Sequence, residues 1–201
     1  MTAENKLEAT HTAELVAHIV RLANVDGHVC DLTSAQWAAL RFFGRAGRFS
    51  RTVSAFADYH ATTRGSASQT VKGLVAKDLA TRTQCENDKR SCRIDLTEKG
   101  RLLCDKDPFE ELVRAIAALP KSRLDHLTAT IEDVSLFMSG RRQAHILGTC
   151  LKCRSLKEHL DYKNKKTGYF CVRVGAELSD LDLNDMCMKY RPKKSGELGY
   201  C

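Results

Sequence analysis

Nine of the 201 residues are cysteine, and they are not spread evenly. Cys150-x-x-Cys153 is followed by Cys171, by Cys187 and by a terminal Cys201. A C-x-x-C pair turns two sulfurs toward one point, because the short loop between them reverses the chain. Two further thiolates complete the four-fold ligation that zinc or an iron–sulfur cluster requires. Cys150, Cys153, Cys171 and Cys187 are therefore the candidate metal ligands. Cysteine is also a compact hydrophobe that packs in cores. Four of them within 38 lysine-rich residues fit that description poorly. The neighbouring cations Lys152, Arg154 and Lys157 are expected to lower the thiol pKa values and favour the ligand form. Cys201 is a spare at the chain end.

The histidines (11, 18, 28, 60, 126, 145 and 159) show neither H-x-x-H nor H-E-x-x-H spacing, so none is assigned as a ligand. The chain has no P-loop, no dinucleotide or flavin fingerprint and no nucleophile–base arrangement, so catalysis is not expected. Its other chemistry is recognition. Ser66, Ser68, Gln69 and Lys72 share one face of a helical pattern whose other face is Ala67, Val71, Leu74 and Val75. An amide such as that of Gln69 pairs with an adenine edge, and Ser68 and Lys72 add donors that suit the major groove. Thr63 is placed to cap this helix, and Ser66 to Gln69 has the form of a capping box.

After Leu79 the pattern changes to a period of two, in ATRTQC and in SCRIDL, around the polar run Glu86-Asn87-Asp88-Lys89-Arg90. A helix followed by a hairpin with a basic tip is the winged-helix arrangement. Arg90, oriented by Asp88, is expected in the minor groove, with Arg64 and Lys89 on phosphates. Cys85 and Cys92 flank the tip and could face each other as a redox pair. Cys30 and Cys104 read as core positions.

Taken together, these residues resemble the MarR family of winged helix-turn-helix regulators over about residues 10 to 140. Leu32-Thr33-Ser34-Ala35-Gln36-Trp37-Ala38-Ala39-Leu40 is similar to the family's "LT-x-x-Q-x-x-x-L" helix opening. Phe56-Ala57 precedes Leu74 as the family's "LA" precedes its recognition-helix leucine. Asp88-Lys89-Arg90 and Leu96-Thr97-Glu98-Lys99-Gly100 resemble the wing's "D-x-R … LTEKG". Asp78 departs from the pattern, standing where the family has a helix-ending glycine; aspartate tolerates the left-handed backbone such a position needs. The resemblance implies a homodimeric transcriptional regulator, a repressor, on a palindromic DNA operator, with room for a small phenolic or carboxylate effector. Some similar proteins use cysteine oxidation as a switch, which is the role the Cys85–Cys92 pair would take.

The remaining elements follow from periodicity. Residues 11–29 carry a wide apolar stripe through Leu15, Val16, Ile19, Val20 and Leu22. Trp37, Leu40 and Phe43 form a second core face, with Arg41 and Arg45 off it, and Phe49 to Tyr59 is expected as the first helix of the helix-turn-helix. Leu102 to Leu119 continues as helix, with Pro108 a break or a new start. Leu124, Leu127, Ile131, Val134 and Met138 then repeat like a dimerisation seam.

The fold class expected is mainly α with a small β-hairpin wing. Its divisions are 1–30 (dimerisation helix), 31–101 (winged helix-turn-helix), 102–142 (dimerisation helices) and 143–201 (a cysteine-rich extension). That extension has no counterpart in a typical member of the family. Single, widely spaced cysteines after a winged helix are similar in layout to iron–sulfur-sensing repressors. A cluster that senses iron, oxygen or redox state is thus the first expectation and a structural Zn2+ the alternative.

Net charge is +7, at 28% charged and 43% hydrophobic residues. Residues 64–101 hold nine Lys and Arg against five Asp and Glu, and residues 140–201 hold thirteen against seven. A basic block facing DNA is what phosphate neutralisation requires. No apolar run reaches the length of a membrane span, and the first residues lack a signal-peptide pattern, so a cytoplasmic protein without membrane contact is expected.

Overall fold

The computed structural model describes residues 2–23, 29–85, 88–142, 146–161 and 166–193. Its helices are α1 (Ala3–Leu22), α2 (Ser34–Arg45), α3 (Val53–Tyr59), α4 (Arg64–Ala76), α5 (Glu98–Cys104), α6 (Glu110–Ala117) and α7 (Lys121–Arg142). The wing is β1 (Ala80–Cys85) with β2 (Asp88–Leu96). Beyond α7 follow β3 (Gly148–Thr149), β4 (Leu156–Asp161), β5 (Lys166–Cys171), β6 (Ala176–Leu178) and β7 (Met186–Cys187). The strands described pair antiparallel, in the order β1-β2, β3-β7 and β4-β5-β6, and a single parallel bridge joins Ala46 to Met186 of β7.

Threonine starts the helices. Thr2, Thr33, Thr52, Thr63 and Thr97 each accept the N–H three residues on, opening α1 to α5. Each such cap is worth about 1 kcal/mol. In α2 the cap is a full box, because Gln36 also accepts from the Thr33 N–H. The box expected at Ser66–Gln69 does not form: Thr63 is the cap and Ser66 lies inside the helix. Likewise Thr52 starts α3 at Val53, so Arg48, Phe49 and Ser50 belong to the connection before it. The expected helix through Leu102–Leu119 is two helices, broken at Asp107-Pro108. There Arg41 makes two 2.7 Å hydrogen bonds to the Asp107 carboxylate and lays its guanidinium 4.0 Å from the Phe109 ring centre.

One core serves the winged helix. Trp37, Leu40, Phe42 and Phe43 of α2 meet Phe56 of α3, Val71 and Leu74 of α4, and Ile94 of β2, all at most 2% exposed. Each such side chain contributes roughly 1.5–3 kcal/mol by burial. Val75, expected on the same face, is exposed. Asp78 does take the left-handed backbone, at φ 57°. Cys30 is exposed, also left-handed at φ 58°, and not a core residue; Cys104 is half-buried against Leu40 and Gly100.

The same core crosses the expected boundary at residue 143. Met186 and Met188 are buried in it, 6% and 4% exposed, from the far end of the cysteine-rich segment. β7 reaches it by pairing with the α2–α3 connection: the Gly47 N–H donates to the Met186 carbonyl at 2.9 Å. Arg48 also hydrogen-bonds the Glu177 carbonyl and pairs with Asp182 at 3.3 Å.

Two apolar faces lie outward. Leu15, Val16, Ile19 and Leu22 of α1 and Ile131, Val134 and Met138 of α7 are each between 44% and 58% exposed. No helix among the described residues is long and apolar enough to cross a membrane.

Candidate nucleic-acid interface and thiol cluster

Helix α4 is held by Ala67, Val71 and Leu74, which leaves its other face to solvent. Arg64, Ser66, Gln69 and Lys72 are exposed on it, and Ser68 is half-buried. Gly73 faces α2, where a Cβ would stand 2.6 Å from the amide nitrogen at the end of the Gln36 side chain. The backbone of Asp88, Lys89 and Arg90 opens β2, whereas their side chains, with that of Cys85, lie outside the described residues. A shift of register between Gln84 and Cys85 sets Cys92 opposite Gln84 and Cys85 opposite Asp88. In this register Cys85 and Cys92 are not directly opposite one another.

An ion-pair cluster that sequence reasoning missed ties the wing to the helix-turn-helix. Arg51, just before α3, donates to the Ala46 carbonyl at 2.8 Å and to Asp95 of β2 at 2.9 Å. Arg93 pairs with the same carboxylate at 2.7 Å. Burial pushes the Asp95 carboxyl up, but the Arg93 and Arg51 guanidiniums outweigh it and hold the group below its ordinary range. The arginines are 42 residues apart in sequence, so no local pattern signals the cluster.

The second site is the thiol cluster. Cys150, Cys153, Cys171 and Cys187 line one cavity of about 20 Å³, walled by Phe49, Leu156, Val174 and Leu178 and edged by Lys189. Cys150 and Cys153 sit on a tight turn closed by the Cys153 N–H on the Cys150 carbonyl at 2.9 Å. The Cys153 sulfur accepts from the Ser155 and Arg191 N–H groups at 3.5 and 3.4 Å. Cys171 ends β5 opposite Leu156, and Cys187 lies in β7 opposite Gly148. Cys187 is next to Met188, which bonds the buried Ser50 of the α2–α3 connection. Ser50 is 1% exposed and accepts the Met188 N–H at 3.0 Å. Ser50 and Phe49 were read from the sequence as parts of a helix, which hid their place at this site.

The four sulfurs share the cavity without being drawn to ligating geometry. Among the described residues no three His, Cys, Asp or Glu side chains are so arranged. The expected lowering of thiol pKa is corrected as well. Burial, together with the charges of Cys187, Cys171 and Cys153, pushes the Cys150 thiol up to about 12. Burial raises Cys187 too. The basic side chains of Lys152, Arg154 and Lys157 are exposed and do not offset this.

An open crevice of about 730 Å³ lies elsewhere, beside Leu32, Leu79, Leu102 and Leu103, with Lys77 and Lys99 among its lining.

Residues 31–91 match the model of the MarR family. No curated protein matches the chain. Among solved structures, one similar to it is a MarR transcriptional regulator from Methanosarcina mazei Go1, 20% identical, with a TM-score of 0.53. That likeness covers 67% of this chain and 99% of the other. S. aureus MepR in its DNA-binding conformation is 19% identical over 63% of this chain and 95% of its own, with a TM-score of 0.56. Streptococcus pneumoniae FabT in complex with DNA is 18% identical over 69% and 99%, with a TM-score of 0.51. The fold is thus that of the winged-helix regulators. The family match ends at residue 91, well before the first of the four clustered cysteines.

Proposed function

We propose that the chain is a DNA-binding transcriptional regulator that acts as a homodimer and represses from a palindromic operator. The observation that carries this reading is α4, whose buried stripe holds it on the core while Gln69, Lys72 and Arg64 face outward. MepR in its DNA-binding conformation and FabT in complex with DNA share the fold, which supports placing α4 in the major groove and the wing beside the backbone. The outward apolar faces of α1 and α7 support a dimer, and twofold symmetry would set two α4 helices about one DNA turn apart. The cysteine site serves as its metal-responsive part. The crevice, apolar at Leu32, Leu79, Leu102 and Leu103 and lined by Lys77, Lys99 and Lys106 against Asp31 and Glu98, offers room for a small phenolic or carboxylate effector as a second input.

The test uses duplexes enriched from a random-sequence library by the purified full chain. Gln69→Ala is expected to cost about 1–3 kcal/mol and to relax preference at one base pair. Lys89→Ala, at a residue assigned to phosphate contact, is expected to weaken all duplexes alike and to flatten the dependence of affinity on salt. Enrichment of no sequence, together with salt-independent binding in both variants, would overturn the proposal.

A further inference from the structure

We infer that Cys150, Cys153, Cys171 and Cys187 hold one thiophilic divalent ion, Zn2+ or Fe2+, and that the ion braces the helix-turn-helix through Ser50. Four cysteines from three separate stretches converge on one cavity of about 20 Å³. A single water fills about 10–15 Å³ by the same measure. The space therefore suits one ion and not a cluster of several irons and sulfides. The donor set fits a structural site, which takes four thiolates at about 2.3 Å. The four side chains need only close inward from the walls of the cavity that they already share.

Donors that a metal-bound thiolate would use are already in place at Cys153. Backbone N–H groups of Ser155 and Arg191 point at the Cys153 sulfur, at 3.5 and 3.4 Å. Such donors are the outer shell that orients ligands and tunes a metal. Loading releases four thiol protons for one dication and leaves the centre with a net charge of −2. The Lys189 side chain at the edge of the cavity and these N–H donors share that charge.

Cys187 connects this centre to the winged helix. The residue after it, Met188, donates its N–H to the buried Ser50 hydroxyl oxygen at 3.0 Å, and Ser50 lies three residues before α3. Phe49 walls the cavity itself, and Met186 is bonded to Gly47. A bound ion thus fixes β7, and β7 fixes the connection that sets α3 against α2. Loss of the ion releases both. The route runs into the helix-turn-helix directly, with a lesser tie from Lys152 to Glu132 of α7 at 2.6 Å.

The experiment needs no DNA, so its outcome is independent of the DNA-binding reading. Full chain purified without oxygen, and then reconstituted with Zn2+ or Fe2+ separately, is analysed for metal and acid-labile sulfide. One ion per chain without sulfide is expected, and Co2+ in its place should give the strong visible absorption of tetrahedral thiolate coordination. The metal found on purification distinguishes the two ions. Cys150→Ser, Cys171→Ser and Cys187→Ser should each lower metal content at least tenfold, whereas Cys104→Ser should not. Cys150→His, which keeps a zinc-competent donor set, should retain Zn2+ and guards against a merely unfolded module. Hydrogen exchange then tests the brace. Stripping the ion should speed exchange of residues 46–59 at least tenfold. Ser50→Ala should show that fast exchange while still holding its metal. Several irons with sulfide per chain, or no metal after reconstitution, would overturn the site. A change confined to residues 146–193 on stripping would overturn the brace.

Discussion

Gly100 explains a motif that the sequence presents only as a string of letters. Its N–H caps onto Thr97, and a Cβ at this position would stand 2.0 Å from the carbonyl oxygen of Leu79. That oxygen also accepts the Thr97 N–H at 3.1 Å, so it cannot swing away without breaking the start of α5. Backbone does not yield as the end of a flexible side chain would. Gly100→Ala is therefore expected to destabilise the chain by about 1–3 kcal/mol, as overpacking does. Thermal or urea unfolding of the full chain measures it, and an unchanged midpoint would show that α5 is not seated on Leu79 as described. Thr33 and Gln36 are explained in the same way, since the structure turns two letters of a family-like string into the two halves of a capping box. Ser50 belongs to the opposite class. A lone serine between arginine and phenylalanine carries no pattern, and only the chain's return through β7, 138 residues later, gives it a role.

At the scale of elements, what could be read depended on whether a local signal existed. Trp37, Leu40 and Phe43 on α2, and Ala67, Val71 and Leu74 on α4, were legible because burial imposes the helical period on the residue types themselves. The start of α3 was not, because Phe49 fits an apolar helical stripe while in fact walling the thiol cavity. Pro108 signalled the break between α5 and α6, but Arg41 shaped it by bonding Asp107 from 66 residues away. Helices α1 and α7 have apolar residues at helical spacing that this chain alone leaves exposed. The proposed dimer would cover them. Placing Asp at both Leu127 and Ile131 would then set unpaired charges in the interface, at a cost of several kcal/mol. Sedimentation at micromolar concentration is expected to find monomer or aggregate, with DNA affinity reduced by the loss of bivalent contact. A folded double variant that still sediments as a dimer would place the interface elsewhere.

For the whole molecule, the cysteine-rich segment is part of the winged helix's own packing and not an appendage to it. The grouping of four cysteines was legible from their spacing, but the docking was not. Met186 and Met188 alternate with Asp185, Cys187 and Lys189 in DMCMKY, a period of two that marks a strand but carries no sign of which core it joins. Their burial, the Gly47–Met186 hydrogen bond and the Ser50–Met188 hydrogen bond together close the core over Ala46, which has no exposed surface. Two consequences separate this arrangement from a tethered module. Met188→Ala should destabilise the winged helix by about 2–5 kcal/mol, while Met188→Leu, which conserves volume, should cost under about 1.5 kcal/mol. Ending the chain after Arg142 should uncover the same apolar surface and lower the unfolding midpoint of what remains. Calorimetry of the full chain should accordingly give one transition for both parts, since a shared core makes their unfolding cooperative. Two separate transitions, with the upper one unmoved by Met188→Ala or by the truncation, would show that the segment folds by itself and that its contact with residues 46–50 contributes nothing to stability.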